Sequence, residues 1–487
     1  MKGLYFSRRD LLRAASASGA SIFLASCQKS SQTAGKSPQE TADQPPSGPA
    51  DITVRINDVL VDVAKNHTIT TRGYNGSVPG PLIRVREGVP VTVELFNETD
   101  TPELVHWHGQ IIPADVDGAE EEQSIVVPPY GTLRYRLTPS PAGARFVHTH
   151  VMSGPNLHQG TYTGQFAPVY IEPKNNPGNF DAEIFLSTHE WEPFFMAEGE
   201  EEKEEGEAGE GKKEHKEEKP NGWEVGYQLF SINGKALGFG DPVRVREGQR
   251  VLFHFLNGSA TENIQLALPG HHFQVIALDG NSVPTPQTVD VLELGTAERV
   301  DAIVEMKNPG IWILGTPKDD DRKNGMGIVV EYANKNGPPR WIKPPKSSWD
   351  YTAFGAAGRV TPAPDETIPM VFGKINGGRE QFNHWTINGK SFDPKDQPQA
   401  LRKGARYRLA FDNQTDDAHP IHLHRNTFEL TKVYGKPTAG VLKDVVLIKP
   451  FSKIEIDFTA NNPGLTLFHC HQQLHMDYGF KKVFHVA

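Results

Sequence analysis

His469-Cys470-His471-Gln472-Gln473-Leu474-His475-Met476-Asp477-Tyr478-Gly479-Phe480, close to the C-terminus, is the stretch from which the chain is best read. Its left flank, Leu465-Thr466-Leu467-Phe468, is apolar and β-prone, so the His-Cys-His triplet is predicted to end a buried strand. Alternate side chains of a strand face opposite ways. Cys470 then points to one side, and His469 and His471 point together to the other. One thiolate and two imidazoles within three residues serve two metal sites back to back, joined by covalent backbone.

Three further clusters supply the ligands such a pair of sites would still lack. They are His106-Trp107-His108-Gly109, His148-Thr149-His150 and His419-Pro420-Ile421-His422-Leu423-His424. In each His-x-His pair the two imidazoles share a strand face and can bridge neighbouring metals. A lone buried histidine is usually a hydrogen-bonded core residue. That reading suits His67, His158, His189, His215, His254, His271, His272, His384 and His485. It does not suit ten clustered histidines beside the only cysteine outside the first 27 residues, because burying them without metal leaves many ring nitrogens unmatched. A structural zinc site is typically a closed set of four ligands, and this array is too large and too rich in histidine for one.

Working outward, the chain repeats itself. Ile83-Arg84-Val85-Arg86-Glu87-Gly88 returns as Val243-Arg244-Val245-Arg246-Glu247-Gly248 and, more faintly, as Leu401-Arg402-Lys403-Gly404; the glycines are 160 and 156 residues apart. Each is followed by alternating strand residues ending at Asn97, Asn257 or Asn413. Ser231-Ile232-Asn233-Gly234-Lys235 matches Thr386-Ile387-Asn388-Gly389-Lys390, and Gly143, Gly310 and Gly464 each stand five residues before His148, Gly315 and His469. A period this long means three copies of one domain rather than a solenoid. Many Val, Thr, Ile and Phe segments, with 46 Gly and 38 Pro at the turns, make the chain all-β, each copy a Greek-key sandwich. The boundaries are placed at 51–173, 174–340 and 341–487. The middle copy is a control: Gln265 and Ala267 stand where His422 and His424 do, and Gly315-Thr316-Pro317 stands where His148-Thr149-His150 does. The metals are therefore expected between the first and third copies.

With these motifs in this order, residues 51–487 resemble a three-domain multicopper oxidase of the laccase type. The resemblance implies three consecutive cupredoxin-like sandwiches and four copper ions: one type 1, one type 2 and a type 3 pair. It assigns His419, Cys470 and His475 to the type 1 copper and His106 and His422 to the type 2 copper. One type 3 copper takes His108, His148 and His471, and the other His150, His424 and His469. Single electrons from a reducing substrate would pass by way of Cys470 and its flanking histidines to the three-copper cluster, where O₂ becomes water. The axial position, ten residues after the cysteine, is Phe480, which cannot ligate; loss of an axial thioether raises a blue-copper potential, while as a plain residue Phe480 is core. The proton donor of the family matches Asp117 in Val116-Asp117-Gly118, which also reads as an ordinary Asp-Gly turn. Bacterial members often carry Glu after the final histidine; here Met476 stands there, with Asp477 the substitute acid.

The implied partners are O₂ and a small phenolic or aromatic donor. A metallo-oxidase acting on Cu(I), Mn(II) or Fe(II) is the alternative, and a non-catalytic copper-storage or envelope scaffold protein is an alternative of another class. Only seven methionines, none clustered, speak against a soft Cu(I) dock. The formal charge of −10 is concentrated in Glu198–Lys219, whose eleven Glu and five Lys contribute −6, so no basic stripe supports nucleic acid binding. That insert reads as a solvated loop, with cation gathering the sharper alternative. Residues 1–27 read as an export signal: Ser7-Arg8-Arg9-Asp10-Leu11-Leu12 resembles a twin-arginine motif, and Leu24-Ala25-Ser26-Cys27 a lipobox. Lipid on Cys27, or an ordinary cleavage nearby, are the two outcomes; residues 28–50 would form the tether, and the destination is the periplasm or cell envelope.

Overall fold

The computed structural model describes residues 48–174, 178–197, 222–346, 348–378 and 381–487. The signal, Cys27, nearly all of the tether, and the acidic insert with His215 lie outside the described residues. Strands dominate, and they form six sheets that pair into three sandwiches. In the C-terminal sandwich one sheet runs His384–Ile387, Glu366–Ile375, Arg406–Asn413, Lys453–Thr459, Phe428–Val433, Lys436–Lys443. The facing sheet runs Gln399–Leu401, Lys481–Val486, Gly464–Cys470, His419–Leu423, Val445–Ile448. The middle sandwich repeats this strand order in both sheets, down to the same register shift, at Val275/Ala277 and at Leu430/Lys432. The first sandwich is a reduced version with two four-stranded sheets.

The repeated sequence signals have repeated local causes. Asn233-Gly234 and Asn388-Gly389 both have positive φ at both residues, the conformation of the tight turn joining two antiparallel strands. Asn75-Gly76 does the same in the first copy, a match the sequence comparison overlooked. The strand-ending asparagines are all buried, and each brackets the loop leading to the next motif. Asn97 donates to the carbonyls of Thr101 and Pro128, Asn257 to Glu262 and Leu294, and Asn413 to Asp417 and Lys449. Each also accepts the amide two residues on. A buried amide with its hydrogen bonds satisfied fixes a loop that no apolar contact would hold.

One apolar core runs through the second and third sandwiches, a second fills the first. A third cluster joins all three copies: Val59, Val61 and Phe146, then Trp191, Leu256 and Ala297, then Val445. It fixes the seam at which the histidine strands meet.

Candidate metal centres

Register places the ligands. In the first sandwich Val105–His108 pairs antiparallel with Gly143–Thr149, so His106 lies directly opposite His148. In the third, His419–Leu423 pairs with Gly464–Cys470, so His422 faces His469 and Ile421 faces Cys470. Directly opposed residues share a face of a sheet. The two faces meet across the seam: the His106 and His424 rings stack at 4.0 Å and those of His108 and His422 at 3.8 Å.

Three groups of ligand atoms result, each within 4.8 Å of one another: His106, His108 and His422; His108, His148 and His471; His150, His424 and His469. All eight rings are buried. Each of six keeps a nitrogen without a hydrogen-bond partner: Nε2 of His106, His148, His150 and His422, Nδ1 of His108, and both nitrogens of His471. Nε2 of His424 and of His469 lie 3.0 Å apart. Leaving so many buried polar atoms unmatched costs several kcal/mol in an empty core, whereas lone pairs converging on cations are satisfied. Burial first, then the neighbouring imidazoles, holds His108, His150, His422, His424 and His471 well below their usual range, and burial takes His469 down to about 3. These rings are neutral, the form that ligates metal. The residues fit a cluster of transition-metal ions.

On the opposite face of the same strand, His419 Nδ1, His475 Nδ1 and Cys470 Sγ form a triangle with sides of 3.1, 3.5 and 3.7 Å. That is the spacing of atoms each about 2.0–2.3 Å from one ion. The alternation predicted for His469-Cys470-His471 is thus what separates this group from the three all-histidine groups. His475 rides on the short helix Gln473–Asp477 and stacks on the buried Trp385 at 3.9 Å. The other nitrogen of His419 is held by Thr415 Oγ1 at 2.7 Å. Phe480 is fully buried, with its ring 4.7 Å from that of His419. Burial pushes the Cys470 thiol well up, and a bound cation is what would draw the thiolate form.

Carboxylates surround the larger group. Asp117 Oδ2 lies 2.9 Å from His424 Nδ1 and 3.3 Å from His106 Nδ1, and the Asp117 carbonyl accepts from His106 Nδ1 at 2.9 Å. The Asp-Gly turn is present too: Gly118 has φ +94°, and a Cβ there would meet the Val105 carbonyl oxygen at 2.2 Å. Sequence reasoning missed Glu122, also buried, whose carboxylate is 3.7 Å from His424 Nδ1 and accepts the Leu467 amide at 2.7 Å. Burial, with Asp117 beside it, pushes the Glu122 carboxyl well up. Only its position in Glu120-Glu121-Glu122, next to Asp117-Gly118, hinted at it. Also missed was Asp444, whose Oδ1 lies 3.1 Å from His108 Nε2. Asp477 is placed differently from the expectation. Its carboxylate accepts the amides of Ser153 and Gly154 at 2.9 and 2.7 Å and the Gln473 side chain at 2.9 Å, which braces a loop instead of reaching the ring cluster. In the middle sandwich Ala267 opposes Gly315 and Gln265 is exposed, so the strands are kept and the ligands are gone.

Fold and site together define a copper-dependent oxidoreductase, and comparison with known proteins agrees. Three multicopper oxidase family models match residues 55–176, 206–334 and 365–487, and the chain belongs to the multicopper oxidase family. It is 29% identical to Multicopper oxidase MmcO of Mycobacterium tuberculosis, over 96% of this chain and 94% of that protein. It is 23% identical to the L-ascorbate oxidase of Nicotiana tabacum, over 85% and 86%. Among solved structures, the laccase of Botrytis aclada covers 90% of this chain and 88% of its own, at TM-score 0.71 and 18% identity. A multi-copper oxidase from Pseudomonas thermotolerans covers 90% and 100% at TM-score 0.68 and 22% identity. As a family member the chain is an enzyme that uses copper and passes electrons to O₂.

Proposed function

We propose that this enzyme is laccase-like: it couples one-electron oxidation of phenols or aromatic amines to the four-electron reduction of O₂ to water. The observation that carries the reading is the pair of ligand groups on opposite faces of one strand, with Cys470 between His469 and His471. In this reading His419, Cys470 and His475 hold the type 1 copper, and His106 and His422 the type 2 copper. His108, His148 and His471 hold one type 3 copper, and His150, His424 and His469 the other. Copper bound there supplies one-electron redox chemistry with dioxygen as the final acceptor. Asp117 and Glu122 stand ready to supply protons, the Glu122 carboxyl pushed up by burial and Asp117 in contact with two ring nitrogens.

Support for an aromatic donor comes from the surface beside His475. His475 is 2% exposed beneath Trp385, and next to it Tyr478 and Phe382 stack at 4.3 Å, both half-buried, with the exposed His384 edge-on to Tyr478 at 5.6 Å. A flat ring stacks there within reach of the type 1 group. A second reading, a metal-ion donor, is favoured by the hairpin whose ends, Ala197 and Trp223, pair just before and after the acidic insert. Trp223 in turn bridges to Phe382, so the insert leaves the fold beside the same surface. Turnover of a phenol against Cu(I), Mn(II) and Fe(II), with and without residues 198–219, separates the two readings. A copper-loaded protein that is colourless and consumes no O₂ with any donor would instead be a store. We also propose export by the twin-arginine route and lipid anchoring at Cys27. Cys27→Ser should then move the mature protein from the membrane fraction to the soluble one.

A further inference from the structure

Among the described residues the middle sandwich adds no ligand to the histidine groups, yet it reaches the cluster through charge. Where the three sandwiches meet, six ionisable side chains are buried: Arg145 from the first, Asp279, Glu298 and Arg299 from the second, and Lys443 and Asp444 from the third. Their formal charges cancel. Arg299 grips both oxygens of Asp444, Nη1 to Oδ1 at 2.7 Å and Nη2 to Oδ2 at 2.6 Å, and Arg145 Nη1 adds a contact to Oδ2 at 3.2 Å. Asp279 receives the Arg299 amide at 3.0 Å and the amides of Asp444 and Val445 at 3.2 and 3.0 Å. Lys443 Nζ lies 3.0 Å from Asp279 and 3.1 Å from Glu298. A bidentate guanidinium–carboxylate pair fixes orientation as well as position.

What Asp444 touches next is the cluster itself. Its Oδ1 accepts from His108 Nε2 at 3.1 Å, which leaves Nδ1 of His108 as the unprotonated atom aimed at the other ligands. Its backbone carbonyl accepts from His422 Nδ1 at 2.7 Å, which leaves Nε2 of His422 free in the same way. One residue therefore selects the tautomers of two stacked rings, and an acceptor-only partner leaves no other choice. Gly109, straight after His108, has φ +76°, and a Cβ there would meet Asp444 Oδ2 at 2.5 Å and Arg299 Nη2 at 2.8 Å. The glycine of His106-Trp107-His108-Gly109 is the residue that lets the ion pair come this close.

We propose that Arg299 is a positioning residue for the three-copper group: held by the middle sandwich, it fixes the Asp444 carboxylate that sets His108, and so makes the ligand-free domain a working part of the site. The inference rests on the ligand assignment proposed above. It is tested on the copper-loaded, full-length enzyme with Arg299→Lys, which keeps the charge and loses the two-pronged grip, and with Asp444→Asn. Copper per chain, the electron paramagnetic resonance signal of the type 2 copper, the blue band, anaerobic reduction by a phenol and reoxidation by O₂ are measured for each. In both variants the type 3 pair that His108 serves should be disturbed, seen as a new resonance signal beside that of the type 2 copper, and reoxidation should slow about 10- to 100-fold, the usual effect of losing an outer partner of a metal-bound histidine. The blue band and its anaerobic reduction should match wild type, a separation that general loss of folding would not give. Wild-type signals and reoxidation in Arg299→Lys would overturn the inference, as would parallel loss of the blue band and the type 2 signal. If Arg299→Lys does not fold, Asp444→Asn carries the same expectation and the same refutation. A wild-type enzyme lacking any type 2 or type 3 signal would instead sink the ligand assignment.

Discussion

Replacing His254 with glutamine removes a buried imidazolium from between two carboxylates, and the pH dependence of stability should report the loss. His254 is 3% exposed, with Nδ1 2.8 Å from Asp301, Nε2 3.1 Å from Glu183, and its ring stacked on Phe185 at 4.3 Å. Glu183 also pairs with Arg84, so the chain of charges ties the second sandwich to the first. Burial pulls the imidazole down, but Asp301 and Glu183 more than reverse this and push it up to about 9. Set against its usual 6.5, and at 1.36 kcal/mol per tenfold change, the charged form contributes about 3 kcal/mol. A base raised in the folded state stabilises fully below the unfolded value. Its contribution therefore falls from pH 6.5 and is gone above about 9. Denaturant unfolding of wild type and His254→Gln at pH 6 and pH 9.5 measures it. The gap between the two proteins should shrink by about 3 kcal/mol from the lower to the higher pH. An equal gap at both, or a wider one at pH 9.5, refutes the reasoning.

Cys470→Ser should abolish the blue absorbance and donor oxidation while the other three coppers stay bound, checked by metal analysis and spectroscopy. Asp117→Asn should slow O₂ reduction about a hundredfold, the low end of what a lost proton donor costs, with anaerobic reduction by the donor unchanged in stopped-flow traces. Phe480→Met should lower the type 1 potential by about 60 mV, a tenfold change in a one-electron equilibrium, read by potentiometric titration.

Parity and repetition were legible because both are properties of backbone. The side-by-side placement of His469 and His471, and the opposite face of Cys470, follow from strand pleating alone, and the structure keeps them. Three copies were visible in Gly88, Gly248 and Gly404, since a turn needing positive φ restricts its residue more than a core position does. What stayed hidden depends on approach between distant segments. Asp444 sits in Lys443-Asp444-Val445-Val446 and reads as an edge charge until Arg299, 145 positions earlier, is brought to it. Glu122 looked like one more surface acid in a run of three, yet a strand of the third sandwich covers it. The direction of Asp477 is hidden for the converse reason. Nearness to His475 in sequence says nothing of direction on a helix, and its carboxylate turns to the 153–154 loop.

The asparagine that brackets a loop in every copy has gained a second duty in the third. Asn413 fixes Thr415 through its Oδ1, and Thr415 in turn grips the outer nitrogen of His419. His419 is therefore anchored to a part of the fold that the other two copies use only to shape a loop. A copper held there as proposed would meet a frame in which the His419 ring cannot shift without breaking the buried amide's bonds. Electron exchange at such a copper would then involve little nuclear rearrangement, and its speed would follow distance and driving force rather than motion of the protein.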